Sequence, residues 1–443
     1  MVAMPSPGSS DRSYRALLAV PTLGRVVVSM QLARVAQAMV GVAVVLFSLA
    51  EYDSPALAGI VTFAFLFPGI LLSPVAGALL DRHGRVRLIV LDYVVAMVTM
   101  ALIGILSLAD ALPPPLLVGI AAVSSLTGPL SQTGLRSLFP LMVPAHLWER
   151  VNALDSTGWV VATILGPPIA ALMVAVLGPQ VAILAIAIPF GLAALALIGV
   201  VEPPSVVVTS GSLLRDAWDG VRYAWRNPTI RGLGFSISTL NLTGGTVAIV
   251  VPLLIVERLH GSEALVGVAF ALAGVAGMAS VILAGRIDSR RREWLLLVVP
   301  MVATAPVTAL LLVANADAVV ADPPLAFGIL VGSMMIAGLF TGPMDIGLFT
   351  IRQRRTHPEM IGRAFAVSMA FNFLGYPVGA AVAGAIADTS LDAAILLGVV
   401  ACLVAAGLAA AMVPRLDEGE EVRAGHGPGE PGVTPRAGQA PQA

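Results

Sequence analysis

The stretch GALLDRHGRVR, Gly77 to Arg87, gathers Asp81, Arg82, His83, Arg85 and Arg87 in a chain that is 58% hydrophobic and only 12% charged. Soluble domains carry about 25% charge, and the mean hydropathy here is +0.93. The chain therefore reads as an integral membrane protein, and the charged stretch as a place where it leaves the bilayer. Apolar runs flank it on both sides. Since a crossing needs about 20 residues at ~1.5 Å rise each, extending the count outward gives twelve candidate spans, near 26-50, 56-80, 88-109, 114-138, 153-176, 180-201, 232-256, 264-285, 294-314, 324-349, 364-386 and 392-413. The first residues are polar and lack a cleavage-site pattern, so the first run reads as a retained helix.

Arginine placement tests that count, because loops on the cytoplasmic side are enriched in basic residues. All 25 basic residues are arginine. Alternate connections hold Arg82, Arg85 and Arg87; Arg136 and Arg150; Arg215, Arg222, Arg226 and Arg231; Arg286 and Arg290 to Arg292; and Arg352, Arg354, Arg355 and Arg363. The other connections hold Arg258 alone, among acids such as Asp53, Asp110, Glu257, Asp317 and Asp388. A missed span would scramble this alternation, so both termini are expected in the cytoplasm.

The chain also repeats itself. PALAG at 55-59 returns as EALVG at 263-267 and Gly77 as Gly285, both shifted by 208, with Asp288 following Gly285 as Asp81 follows Gly77. LGPPIAA at 165-171 is echoed by LGYPVGA at 374-380, and LTGP at 126-129 by FTGP at 340-343, shifted by 209 and 214. Six spans per copy is an even number, so the copies enter from one face, as parallel repeats do. The expected organisation is an N-terminal segment (1-25), a six-helix half (26-201), a linker (202-231), a second half (232-413) and a disordered tail (414-443). In the linker, Leu214, Ala217, Trp218, Val221 and Trp225 share one helical face. That face suits a helix lying at the inner membrane surface or a tether packed under the bundle.

With two such halves, the opening stretch resembles the signature loop of the major facilitator superfamily. Gly77, Leu79, Asp81, Arg82, Gly84 and Arg85 carry the resemblance, between the second and third of twelve helices. It implies an all-α fold of twelve transmembrane helices in two parallel-repeat halves. It also implies a gating role: Asp81 accepts N–H groups at the start of helix 11, near Gly362 to Ala366, and latches the cytoplasmic side. The bland alternative is that these charges only hold topology. The runs RSLFPLMVPAHLWERVNALDS, GVRYAWRNPTIRGL and RQRRTHPEMIGRAFAV resemble the macrolide-efflux and enterobactin-exporter group. Gly166, Pro167 and Pro168 in helix 5 resemble the Gly-Pro motif of proton-coupled antiporters, or form a bend that any bundle needs.

Charges inside the membrane are expensive and are default functional candidates. In helix 1, Gln31, Arg34, Gln37 and Gly41 fall within an arc of roughly 120°. In helix 10, Thr341, Asp345 and Arg352 share a stripe. Asp345 is the first choice for a proton-carrying or cation-attracting group, the alternative being a structural partner of Arg34 or another buried donor. Asp92 and Asp155 are expected to pair with the arginines at 82-87, in a network that includes Arg150. Ser124, Thr127 and Ser131 in helix 4, Asn241 in helix 7 and Asn372 in helix 11 are pathway candidates, or hydrogen bonds between helices.

Enzyme chemistry finds no footing. The five histidines fall in loops or the tail, no cluster has metal-ligand spacing, and without lysine there is neither a Walker A loop nor a Schiff-base site. No cofactor is implied. The reading is a secondary transporter of the inner membrane, exporting hydrophobic or amphipathic compounds by alternating access. Its expected partners are the lipid bilayer, a small-molecule substrate and protons, with no nucleic acid and a monomeric state. The alternatives are a dedicated exporter of a siderophore or other natural product, and a lipid or lysolipid flippase of the same fold.

Overall fold

The computed structural model describes residues 13–202, 213–284, 292–356 and 361–415. Among the described residues, twelve helices are long and apolar enough to cross a membrane. They are α1 (Leu23–Tyr52), α2 (Pro55–His83), α3 (Arg85–Leu108), α4 (Pro114–Met142), α5 (Trp148–Leu177), α6 (Pro179–Leu197), α7 (Pro228–Leu253), α8 (Glu263–Ala284), α9 (Glu293–Asn315), α10 (Pro323–Arg354), α11 (Ile361–Phe373 and Gly375–Ala387) and α12 (Leu391–Met412). A short helix (Tyr14–Leu18) precedes α1, and a linker helix (Leu213–Arg226) joins the halves.

Local sequence sets the helix starts. Pro55, Pro114, Pro179, Pro228 and Pro323 occupy the first turn, where a missing N–H costs nothing. Ser54, Asn227, Asp322 and Ser390 place a side-chain oxygen on the N–H three residues on. Asn227 and Pro228 start α7 inside the stretch expected to be linker, and Thr229 and Ile230 are already buried. Several helices also outrun their apolar segments: α4 reaches Met142, α5 begins at Trp148 and α10 ends at Arg354. Hydropathy marks the length that lipid covers, whereas the backbone ladder continues into polar surroundings. The expected tail from 416, the first twelve residues and the second-copy loop at 285–291 lie outside the described residues.

Each half packs in the same pattern. α1 lies against α5 and α6, α2 against α4, and α3 against α4 and α6; α7 lies against α11 and α12, α8 against α10, and α9 against α10 and α12. Two seams join the halves, α2 with α11 and α5 with α8. The repeated sequence motifs build both. A methyl group on Gly59 would overlap Ala380 O, and one on Gly267 would sit 2.6 Å from Pro168 Cα and 2.8 Å from Ala171 Cβ. PALAG thus packs on LGYPVGA, and EALVG on LGPPIAA. One contact is made twice, each glycine supplied by one half and the proline-bearing helix by the other.

Candidate functional site

Both seams have their glycines, Gly59 and Gly267, near the arginine-poor starts of α2 and α8. Gly384 presses on Pro55 O beside them, and Asp388 Oδ1 accepts the Ala56 N–H across the halves (3.3 Å). Among the described residues, the close glycine contacts between halves all lie on this side or at mid-depth. The structure is shut at the arginine-poor end.

Two three-helix clasps rim that shut end. In the first half, Glu51 at the end of α1 accepts from Gln180 Nε2 (2.5 Å) and Ser107 Oγ (3.1 Å). In the second, Arg258 closes the π-helical turn Leu254–Arg258 after α7 and donates to Asn315 Oδ1 (2.9 Å) and Asp317 Oδ1 (2.8 Å), while Asn315 donates to Asp392 (2.7 Å). The shifts 51 to 258, 107 to 315 and 180 to 392 follow the sequence repeat. The same corner is built around a carboxylate in one half and a guanidinium in the other.

On α1, Arg34 is only 5% exposed and donates to Asp155 Oδ1 (2.5 Å) and Asp155 O (2.6 Å), while its guanidinium lies over the Trp159 ring at 4.8 Å. Gln31 donates to Gly158 O (3.3 Å). Gly158 makes the room, since a methyl there would sit 2.9 Å from Arg34 Nη1. Arg136 of α4 approaches Asp155 Oδ2 at 3.8 Å, from a side chain 65% exposed. Asp155 therefore pairs with Arg34 and Arg136, not with the 82–87 arginines. Gln37 and Gly41, farther along the same face of α1, are exposed. With α1 packed on α2, α5 and α6 of its own half, that open face is turned to the other half.

The signature loop takes a partner in the linker. α2 runs to His83, and Gly84 alone makes the turn into α3 with φ of 88°, a conformation that favours glycine. Glu202, at the start of the linker, caps α3: its Oε2 accepts the Arg85 N–H (2.6 Å) and its Oε1 accepts from Arg85 Nη1 (2.8 Å). A carboxylate suits the positive end of a helix. Arg85 Nε also donates to Ser137 Oγ (3.2 Å). Arg150 lies in α5, its guanidinium over the Tyr14 ring at 5.5 Å. The surroundings of Gly77, the side chain of Asp81 and those of residues 361–366, and with them the latch contact, lie outside the described residues. Arg82 is exposed.

The helix 4 hydroxyls turn towards α3. Ser124 Oγ accepts from Thr99 Oγ1 (3.1 Å), and Thr127 and Ser131 lie beside the Asp92 carboxyl, which is buried at 5% exposure. They tie α3 to α4 within one half. The repeat places Ser131 at the position of Asp345, counting from LTGP and FTGP. Asp345 is half-buried, and no hydrogen bond or ion pair joins it to another described residue. Arg34, weighed as its partner, is committed to Asp155.

Arg352, counted with an inner connection as well as on the helix 10 stripe, lies in α10 and is the largest completely buried side chain among the described residues. Its Nη1 donates to Met369 Sδ (2.9 Å) and its guanidinium lies 5.7 Å from the Phe349 ring centre. The Asn372 amide, oriented to donate to Ser368 O (3.0 Å), accepts from Arg352 Nη2 (2.6 Å). Asn241 Nδ2 donates to Asn372 O (2.9 Å) where α11 breaks at Leu374. A broken membrane helix needs its freed carbonyls satisfied, and Asn241 satisfies one. Asn241 and Asn372 are thus joined to Arg352 around the break.

Gly166 of the helix 5 motif packs on α1, where a methyl would overlap Ala38 Cβ, while Pro167 and Pro168 face Gly267 of α8. Its repeat Gly375 packs on Ser238 O of α7 in the same way. The motif is a packing joint present in both halves.

The Major Facilitator Superfamily model matches residues 26–333 and 240–439. The chain is 34% identical over 401 residues to the uncharacterised MFS-type transporter y4rN of Sinorhizobium fredii, covering 89% of this chain and 95% of that protein. It is 27% identical over 395 residues to the multidrug efflux pump Tap of Mycobacterium tuberculosis, covering 85% and 90%. The fold matches the nucleoside transporter NupG with a TM-score of 0.68 at 13% identity, covering 88% of this chain and 98% of that one. It also matches an inward-facing, occupied bacterial homologue of the human lysosomal transporter Spinster with a TM-score of 0.67 at 14% identity, covering 91% and 97%.

Proposed function

The chain belongs to the Major Facilitator Superfamily, a family of transporters and not of enzymes, and from that premise we propose that it exports hydrophobic or amphipathic drug-like molecules in exchange for protons. Its arginine-rich end faces the cytoplasm across a bacterial inner membrane. The observation that carries the reading is the doubled glycine seam, which shuts the arginine-poor end while the Gln37–Gly41 face of α1 stays uncovered. A pathway lined by few charges suits apolar cargo, and relatives named as multidrug efflux pumps cover most of the chain.

Asp345 is the proton carrier in this reading, because it alone of the acids weighed as pathway groups is half-buried without a partner among the described residues. The electrical part of the proton gradient supplies about 2.3 kcal/mol per charge per 100 mV. Loading Asp345 from the far side and emptying it on the near side couples that energy to the rocking of the halves. Asp81 latches the arginine-rich side in the opposite state.

Accumulation of a fluorescent amphipathic cation in cells with and without the protein tests this, before and after a protonophore. Lower accumulation that the protonophore abolishes is the expected result. No difference across a panel of such dyes would overturn the drug-export reading in favour of one dedicated natural product or a lipid cargo.

A further inference from the structure

The linker helix is amphipathic, yet it rests on the bundle with its wrong side. At about 100° per residue, Trp218, Val221, Arg222 and Trp225 share an arc of about 100°, with Arg226 just beyond it. A soluble protein would bury such a face. Here most of it points outward: Trp218 is 65% exposed, Trp225 60% and Val221 40%, and both arginines are exposed, while one edge of the Trp225 ring meets Phe235 of α7 at 6.0 Å between ring centres. The other side, with half-buried Tyr223, meets α2, α7 and the first part of α11. Asn227, which follows the helix, donates to Arg355 O (3.1 Å) and holds its end against the base of α10.

Two exposed indoles on one face, about two helical turns apart, mark a contact surface. The helix packs on membrane spans at their arginine-rich ends, where spans of this kind leave the hydrocarbon and tryptophan is favoured in the headgroup layer. The guanidiniums beside the indoles select its charge.

We propose that Trp218, Val221, Trp225, Arg222 and Arg226 form a docking face for an anionic bilayer surface. The linker helix then touches α2 of one half and α11 of the other from one lipid-anchored position. Lipid composition thereby bears on the arginine-rich side of both halves. The proposal does not depend on the cargo or on proton coupling.

The test uses the full-length protein in nanodiscs of phosphatidylcholine, or of equal parts phosphatidylcholine and phosphatidylglycerol, with bromine on the acyl chains of one lipid at a time. The fluorescence difference between wild type and W218F/W225F isolates the two indoles. We expect it to be quenched by brominated lipid, more strongly by phosphatidylglycerol, with the anionic preference falling about fivefold for each arginine removed in R222Q and R222Q/R226Q. Hydrogen exchange over 213–226 in wild type gives a second readout, with slower exchange in anionic than in zwitterionic discs. A difference signal that no brominated lipid quenches, or that both quench equally while exchange is also unchanged, would overturn the proposal.

Discussion

The two halves share a fold, a pair of seams and a corner clasp, yet Asp155 in the first and Asp345 in the second are held in opposite ways. In the first half, Asp155 is held by Arg34 at 2.5 Å and approached by Arg136 at 3.8 Å. In the second, Asp345 stands without a partner among the described residues, and the nearby buried cation Arg352 leans on Asn372, Met369 and Phe349. Repeated backbone does not imply repeated chemistry. In the first half Asp155 has cations as partners and Asp92 has the hydroxyls of Thr127 and Ser131, while the proposed proton carrier Asp345 has neither among the described residues.

The largest effect should come from breaking the paired side. Arg34→Ala leaves Asp155 buried without its main partner and should cost about 3–5 kcal/mol, read as a loss of thermal stability in detergent. Arg34→Met with Asp155→Met should recover most of that loss. If the double variant is as unstable as the single one, the pair is not the source. Next comes the open side. Asp345→Asn should fold normally and abolish the pH dependence of transport, and retained proton coupling would remove Asp345 from the mechanism.

The seams offer a symmetric test. Gly59→Val and Gly267→Val each force a side chain into backbone of the other half, and each should impede closure of the arginine-poor end, measured by labelling of cysteines introduced there. Overpacking of this kind costs about 1–3 kcal/mol. Similar shifts from both variants would confirm that the contact is made twice, and a shift from one alone would break the equivalence. The smallest effect is expected at Glu202. Glu202→Gln keeps an acceptor for the α3 N–H groups but loses the charge, and should lower stability by about 1 kcal/mol or less, with its dependence on salt as the check.

Much of this architecture is legible in the sequence. The spans follow from hydropathy and arginine alternation, and the matched motifs PALAG and EALVG, LGPPIAA and LGYPVGA point to the duplication. That these motifs pack on one another was not legible, because a repeat says what is alike and not what touches. The partner of Asp155 was missed for a similar reason: Arg34 lies 121 residues away, and no periodicity links two helices. Gly158, three residues after Asp155, is the trace of that contact in the sequence. Arg352 was also counted with an inner connection because charge counts as surface in a hydropathy reading, whereas a broken helix and an asparagine pair shelter it. The break itself has a trace in Pro377, which offers no N–H to the Phe373 carbonyl four residues back, while Gly375 packs on α7 beside it.

The most direct test of the central claim is proton movement in proteoliposomes. Purified protein, with a pH-sensitive dye inside and a transported cation added outside, should show internal alkalinisation only while substrate enters, because exchange sends protons out as substrate comes in. The account predicts a substrate-triggered proton flux in wild type and in a Gln37→Ala variant, and none in Asp345→Asn. Substrate uptake with no accompanying proton flux in wild type, or the same flux in Asp345→Asn, would contradict it.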